Sequence, residues 1–120
     1  MKVLLIEDNH HVREGLRLVL EEHGHVVTPA NNGDEAIQLL DVERYEVVIS
    51  DVVMPDRDGF EVVDYIRHMS DRPKVIMISG GGNRLPAEMI IPYAETIADA
   101  VLMKPFSNEQ LLSAIDRAAA

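Results

Sequence analysis

The sequence contains no cysteine and no tryptophan, and it has only three tyrosines and two phenylalanines among 120 residues. The absence of cysteine excludes a disulfide framework and any metal site built from thiolates. Because aromatic side chains are so scarce, the hydrophobic core has to be built from aliphatic residues. A chain of this length can bury such a core without further covalent links, and we expect one domain over residues 1–120.

Two further absences concern nucleic acid and membranes. Acidic residues outnumber basic ones by 21 to 11, and the net charge of −10 opposes direct binding to nucleic acid. No apolar run is long enough to cross a bilayer, and the run that ends before Glu7 is too short for a signal peptide. We therefore expect a cytoplasmic protein without membrane insertion.

Short apolar runs alternate with amphipathic segments along the whole chain. The runs span Val3–Ile6, His25–Thr28, Glu46–Ile49, Val75–Ile78 and Ala100–Met103. They are nearly continuous and rich in β-branched residues, which predicts strands covered on both faces. Strands connected by helices must run parallel. The pattern therefore predicts an α/β fold, a doubly wound parallel sheet of the flavodoxin-like (βα)5 type with strand order 2-1-3-4-5.

The spacing of apolar residues predicts the helices between these strands. The apolar face of the first helix consists of Val12, Leu16, Val19 and Leu20. Arg13 belongs to its polar side, and Gly24 is the expected stop. Later helices are predicted over Asp34–Leu40, around Phe60, Val63 and Ile66, over Leu85–Ile97, and after the capping box Ser107–Gln110.

Chemically active side chains follow four of the predicted strands. Glu7 and Asp8 follow the first strand, Asp51 the third, Ser79 the fourth and Lys104 the fifth. In open parallel sheets ligands bind beyond the carboxyl ends of the strands. Three carboxylates that meet there repel one another unless a cation joins them, and Mg²⁺ prefers such oxygen ligands. With Lys104 as a positive charge and Ser79 as a hydroxyl, these residues predict a phosphoryl-transfer site whose nucleophile is Asp51.

Four motifs stand behind apolar strands: Glu7-Asp8, the segment Asp51–Gly59, Ser79-Gly80 and Lys104-Pro105-Phe106. They resemble the motifs of bacterial response-regulator receiver domains, which act in two-component signalling. Each motif is weak alone, but all four in this order form a specific pattern. The resemblance covers the whole chain and implies a receiver domain similar to the chemotaxis receivers. We expect a stand-alone, single-domain member, with a segment cut from a longer chain as the alternative.

The resemblance implies a role for each acidic residue of the motifs. Asp51 would accept the phosphoryl group. Mg²⁺ would be bound by the carboxylates of Asp8 and Asp51 and by the backbone carbonyl of Val53, while Glu7 would act mainly through water. The cofactor implied by the family is thus Mg²⁺, held at the carboxyl ends of the first and third strands.

The same resemblance implies the remaining roles and the partners. Lys104 would pair with the phosphoryl oxygens, and Ser79 would move to hydrogen-bond to the phosphoryl group. The donor would be a phosphohistidine on a sensor histidine kinase or a histidine phosphotransfer protein, and the signal would pass to a downstream protein target. Such a protein catalyses only its own phosphorylation and dephosphorylation and is not a turnover enzyme.

The sequence departs from the family pattern at a few positions. Val101 stands where most receivers have a tyrosine or phenylalanine three positions before the lysine, so signalling should pass mainly through Ser79. Val53 and Gly81 hold the two positions whose side chains could align a water for hydrolysis, and neither offers a polar group. We therefore expect the phosphoryl group to persist longer than in fast chemotaxis receivers.

Two alternative functions remain at this stage. Haloacid-dehalogenase-type phosphatases also place an aspartate behind a buried strand, but they carry a second aspartate two residues later, where this chain has Val53. A degenerate receiver, acting as a phosphorylation-independent protein-binding module, is the other alternative, and Val101 is the residue that favours it. His10 and His11 are interpreted as an exposed helix start rather than as metal ligands.

Overall fold

The computed structural model describes residues 1–51, 59–79 and 98–119. Within them, five strands form one parallel sheet: β1 (Lys2–Ile6), β2 (Val26–Ala30), β3 (Val47–Asp51), β4 (Lys74–Ser79) and β5 (Ala100–Met103). Their order is β2-β1-β3-β4-β5, which is the predicted flavodoxin-like arrangement. The bounds of each strand agree with the predicted runs to within two residues, because continuous β-branched runs between polar segments define buried parallel strands well.

Four helices are described: α1 (His10–Glu22), α2 (Gly33–Val42), α3 (Gly59–Arg67) and α4 (Asn108–Ala119). The helix predicted over Leu85–Ile97 lies outside the described residues. None of the helices in the described ranges is long and apolar enough to cross a membrane.

The helix ends follow local sequence signals. In the predicted capping box, the Ser107 N–H donates to Gln110 Oε1 at 2.8 Å, and the Gln110 N–H donates to Ser107 Oγ at 3.1 Å. The side chain of Asn9 caps α1 in the usual manner by accepting from the Val12 N–H at 3.0 Å. Gly24 follows α1 with a φ of 87°, a backbone conformation that glycine adopts without strain, so its prediction as a stop is confirmed.

The core consists of two apolar layers, one on each face of the sheet. Alternation along β1 directs Val3 and Leu5 to the layer that contains α1 and α4, and Leu4 and Ile6 to the layer that contains α2 and α3. Almost all of the buried side chains are aliphatic, as the shortage of aromatic residues requires. Coverage on both faces holds the strands of the sheet in a fixed register, and that register aligns their carboxyl ends.

The burial of α1 differs from its predicted apolar face at two residues. Leu20 is fully buried as predicted, but Val12 is 38% exposed and Arg13 is only 8% exposed. The first turn of α1 follows directly on the carboxyl end of β1, where the sheet surface ends and cannot cover Val12. The prediction of Arg13 on the polar side was wrong, because its long side chain folds back and its Nη1 donates a hydrogen bond to the backbone carbonyl oxygen of Glu7 at 2.9 Å.

Candidate functional site

The register of the sheet brings the predicted site residues to one end. Asp51 pairs with Ile78, and Ser79 pairs with Met103, so β3, β4 and β5 end at nearly the same level. The Lys104 N–H continues this alignment by donating to the Ser79 carbonyl at 2.8 Å. The carboxyl end of the sheet therefore gathers Glu7, Asp8, Asp51, Ser79 and Lys104, all of which were selected from the sequence.

Three carboxylates form the centre of this site. One ligand oxygen each of Glu7, Asp8 and Asp51 lies within 4.8 Å of the other two. Glu7 is buried, Asp51 is partly buried and Asp8 is exposed, so the cluster is open to solvent on the side of Asp8. A set of three carboxylate oxygens suits a hard divalent cation such as Mg²⁺, which takes oxygen ligands and keeps some of its waters.

Lys104 supplies the positive charge of the site. Its Nζ lies 3.1 Å from Asp51 Oδ2 and 3.6 Å from Glu7 Oε1. Burial by itself would lower the pKa of Lys104, but the Asp51 and Glu7 carboxylates outweigh it and hold that pKa above its ordinary value. Lys104 therefore stays cationic and remains close to the carboxylate of Asp51.

The charge of Glu7 is poorly compensated. Burial and, after it, repulsion from Asp51 raise the pKa of Glu7, and Lys104 offsets only part of the rise, so that the pKa reaches about 7. The Asp8 N–H donates to Glu7 Oε2 at 3.2 Å. The protein thus concentrates more negative charge at this point than its own cation neutralises, which is the electrostatic condition for binding an added cation.

Ser79 provides a hydroxyl group at the same end of the sheet as the carboxylates. Ser79 is 1% exposed, and its Oγ has no hydrogen-bond partner among the residues that the structure describes. A buried hydroxyl without a partner typically costs about 1–3 kcal/mol. Its position at the end of β4 leaves it suited to pair with an oxygen of a group that enters the site.

Arg13 is the residue of the site that the sequence analysis missed. One guanidinium nitrogen, Nη1, donates to the Glu7 carbonyl oxygen at 2.9 Å, and the other, Nη2, lies 3.0 Å from Nδ1 of His10. The hydrogen bond to Glu7 ties the start of α1 to the segment that carries Glu7 and Asp8. A basic residue one turn into a helix that follows an acidic strand end was the available signal, but helical periodicity assigned Arg13 to the polar side of α1.

Some predicted residues cannot be placed. Val53, whose carbonyl was predicted to bind Mg²⁺, and Gly81 both lie outside the described residues, so their roles stay predictions. Val101 is partly buried and packs against the core layer beneath α2 and α3. His10 and His11 are exposed at the start of α1, as interpreted, and the candidate metal cluster found in the described ranges contains neither of them.

Comparison with known sequences identifies the family. The profile of the response regulator receiver domain matches residues 3–116. The chain belongs to the response regulator receiver domain family. The acidic cluster, Ser79 and Lys104 therefore lie at the carboxyl end of the sheet in a receiver domain, and the resemblance inferred from the four motifs is confirmed.

Individual relatives agree with this assignment. A CpxR homologue of Haemophilus influenzae, named a transcriptional regulatory protein, is 38% identical over 114 residues, which cover 95% of this chain and 48% of that protein. A 14.6 kDa protein of Leptolyngbya boryana is 34% identical over 97% of this chain and 81% of its own length. The chain spans about half the length of most of the regulators that it matches, for example 49% of MprA from Mycobacterium leprae.

Solved structures of receiver domains share the fold. The chemotaxis protein CheY4 of Vibrio cholerae superposes with a TM-score of 0.86 at 30% identity, covering 98% of this chain and 97% of that chain. The receiver domain of the Francisella response regulator 1452 gives a TM-score of 0.82 at 28% identity, covering 98% and 95% of the two chains. The receiver fold therefore accounts for the chain over almost its full length.

Proposed function

We propose that this receiver domain accepts a phosphoryl group on Asp51, in the presence of Mg²⁺, and transmits the modification through a conformational switch. The observation that carries the proposal is the meeting of three carboxylates within 4.8 Å of one another, with the Lys104 ammonium 3.1 Å from Asp51. A cation site, an anionic nucleophile and a fixed positive charge are the parts that phosphoryl transfer to a carboxylate requires.

The transfer step uses the carboxylate of Asp51 as nucleophile. Its oxygen attacks the phosphorus of a phosphohistidine, an O–P bond forms as the N–P bond breaks, and the imidazole leaves with the bonding electron pair and takes up a proton. Lys104, held close to Asp51, stabilises the negative charge on the phosphoryl oxygens. Mg²⁺, when bound by Asp8 and Asp51 with Glu7 acting through water, supplies the charge that lets the anionic group approach.

The switch would begin at Ser79. Phosphorylation adds up to about two negative charges and three acceptor oxygens to Asp51. The buried Ser79 Oγ, which finds no partner in the described part of the chain, can donate to one of these oxygens. Because Val101 has no aromatic ring to rotate, we expect the movement of Ser79 and the residues after it to carry most of the signal.

The partners follow from the receiver family in general terms. The donor is a sensor histidine kinase or a histidine phosphotransfer protein, and the recipient of the signal is a downstream protein rather than nucleic acid. The protein catalyses only its own phosphorylation and dephosphorylation. Failure to turn over a phosphomonoester such as p-nitrophenyl phosphate, together with a single stable phosphorylation, would distinguish it from a phosphatase.

The decisive test is intact mass after incubation with acetyl phosphate and Mg²⁺. The wild-type protein should gain one phosphoryl group, and Asp51→Asn should gain none, because the amide is not a nucleophile toward phosphorus. Asp64→Asn, which neutralises an exposed aspartate on α3, is the matched control and should react like the wild type. Phosphorylation of Asp51→Asn at the wild-type rate would show that the acceptor is a different residue.

A second candidate function is that of a degenerate receiver, which binds its partner without a phosphorylation switch. The observation that favours it is the presence of Val101 where most receivers have an aromatic residue. Backbone amide spectra with and without beryllofluoride, which mimics the bound phosphoryl group, separate the two candidates. A switching receiver should show shifts over residues 79–92 and around Lys104. Spectra in which only the immediate neighbours of Asp51 change would favour the binding module.

A further inference from the structure

A second candidate site lies at the opposite end of the sheet from Asp51. A cavity of about 230 Å³ opens between the end of α3 and the start of β4. Its rim carries the cationic side chains of Arg67, Arg72 and Lys74, and its buried floor includes Ile66 and Pro73. Three of the eleven basic residues of an acidic protein thus surround one small cavity.

These three cations lack the polar partners that most other basic side chains of the described residues have. Ion pairs or hydrogen bonds to polar groups are made by the side chains of Lys2, Arg13, Arg17, Arg44 and Lys104. In contrast, Arg67, Arg72 and Lys74 make no side-chain hydrogen bond and no ion pair with any residue of the described ranges. Arg117 is the other described arginine of this kind, and it lines a different cavity, beside β5 and α4. Among the described residues, three of the four basic side chains without a partner therefore lie around this one cavity.

The acidic residues nearby do not neutralise the cavity. Asp71, next to Arg72 in the chain, pairs with Arg44 at 2.9 Å. Asp99 belongs to the lining, but its Oδ2 accepts from the Val75 N–H at 2.7 Å. Three cations and one carboxylate leave the lining with a net charge of +2, in a chain whose net charge is −10. The repulsion among these cations would be relieved by a bound dianion.

We propose that this cavity binds a phosphate group, either as the free ion or on a small organic molecule. Guanidinium groups present paired N–H donors that match phosphate oxygens, and the lysine adds a further point charge. The apolar floor offers contact to a small carbon group attached to the phosphate. The site is separate from Asp51, because β4 runs from Lys74 to Ser79, and five strand steps span roughly 17 Å.

The test is an amide-shift titration of the full chain with inorganic phosphate and, separately, with phenyl phosphate. Chelator excludes metal ions, and sodium chloride keeps the ionic strength constant. We expect saturable shifts at the amides of residues 66, 67, 72, 74, 75 and 99, in the wild type and equally in Asp51→Asn. Saturation by both probes with tighter binding of phenyl phosphate would identify a carried phosphate group, and preference for the inorganic ion would identify free phosphate.

Charge-neutralising variants decide whether the cavity is the site. Arg67→Gln with Arg72→Gln should raise the dissociation constant at least tenfold, which corresponds to about 1.4 kcal/mol. Arg117→Gln removes the same charge elsewhere and should leave the constant unchanged. The proposal fails if the shifts grow linearly without saturation, if they appear only around Asp51 and Lys104, or if Arg117→Gln weakens binding as much as the double variant. Unchanged amide shifts far from the cavity would show that the double variant is folded.

Discussion

The two ends of the same sheet carry opposite charges in different surroundings. At the carboxyl end, Glu7 is buried, and Lys104 lies between it and Asp51 with two-thirds of its side chain removed from solvent. At the amino end of β4, Arg67, Arg72 and Lys74 are exposed around a cavity. One end therefore holds its charged groups in fixed contact, whereas the other presents charges that remain available to a ligand.

The difference in burial between the two charged clusters determines which chemistry each end of the sheet can support. Burial and the neighbouring charge of Asp51 raise the pKa of Glu7 to about 7. A cation is favoured there because charges act strongly on one another where water is excluded. Exposed charges are screened by solvent and salt, so they can select an anion but cannot by themselves drive a covalent step. The comparison predicts that changes at one end leave the chemistry of the other end intact.

The largest effect is expected from Asp8→Asn. Loss of one carboxylate should weaken Mg²⁺ binding at least tenfold and slow phosphorylation by acetyl phosphate, since the cation offsets the negative charge of the site. Without Mg²⁺ the variant should be as stable as the wild type or slightly more stable, by up to about 1 kcal/mol, because repulsion is relieved. Metal titration, intact mass followed over time and urea denaturation measure these three quantities.

The opposite end supplies the control for Asp8→Asn. Arg72→Gln also removes one charge, but it should leave Mg²⁺ affinity and the phosphorylation rate unchanged. Equal phosphorylation of the wild-type protein in excess chelator would contradict the metal requirement. An effect of Arg72→Gln as large as that of Asp8→Asn would contradict the separation of the two ends.

A smaller effect is expected from Arg13→Gln. The variant loses the hydrogen bond to the Glu7 carbonyl, and hydrogen bonds from charged groups contribute about 1.5–3 kcal/mol, so the free energy of unfolding should fall by about that amount. Mg²⁺ affinity should fall severalfold, because the segment that carries Glu7 and Asp8 is held less firmly. Thermal unfolding and metal titration provide the measurements.

Arg17 is the matched control on the same helix. Its ion pairs with Glu14 and Glu21 are partly exposed, and pairs of this kind contribute about 0–1 kcal/mol. Arg17→Gln should therefore change stability little and leave metal affinity intact. If the two variants lost the same metal affinity, Arg13 would not act as a positioning residue for the site.

The smallest effects are expected from two glycine substitutions that change the free energy of unfolding but not the phosphorylation reaction. Gly24 has a φ of 87°, and an added Cβ would meet no atom within 4 Å, so Gly24→Ala should cost only backbone strain, about 1–2 kcal/mol. Gly15 lies inside α1 with equally open surroundings, and Gly15→Ala should instead stabilise the protein by about 0.5–1 kcal/mol. Neither change should alter phosphorylation, and urea denaturation with intact mass checks both statements.

The two glycine variants should change stability in opposite directions, because only Gly24 has a left-handed backbone. If Gly24→Ala were neutral, the left-handed turn after α1 would not be required. If either variant altered the phosphorylation rate, stability and site chemistry would be coupled across the sheet, and the independence of its two ends would be wrong.

The sequence predicted the strands and the strand-end residues because both depend on local features. Buried parallel strands are continuous apolar runs, and whatever follows such a run comes to the carboxyl end of the sheet. Glu7, Asp51 and Lys104 could therefore be selected as neighbours before their distances were known. The capping box at Ser107 and Gln110 was equally predictable, since its two hydrogen bonds join residues three positions apart.

The sequence by itself thus determined the fold class, the strand order and the strand-end residues of the carboxyl-end site. Only the tertiary structure decided that the Arg13 side chain turns inward to the Glu7 carbonyl. Helical periodicity predicts which side of a helix a residue occupies, but it does not predict where the end of a long, flexible side chain lies. It also decided that Asp99 joins Arg67, Arg72 and Lys74 around one cavity. That meeting depends on the pairing of β4 with β5 and on the packing of α3 against the sheet, which no local pattern encodes.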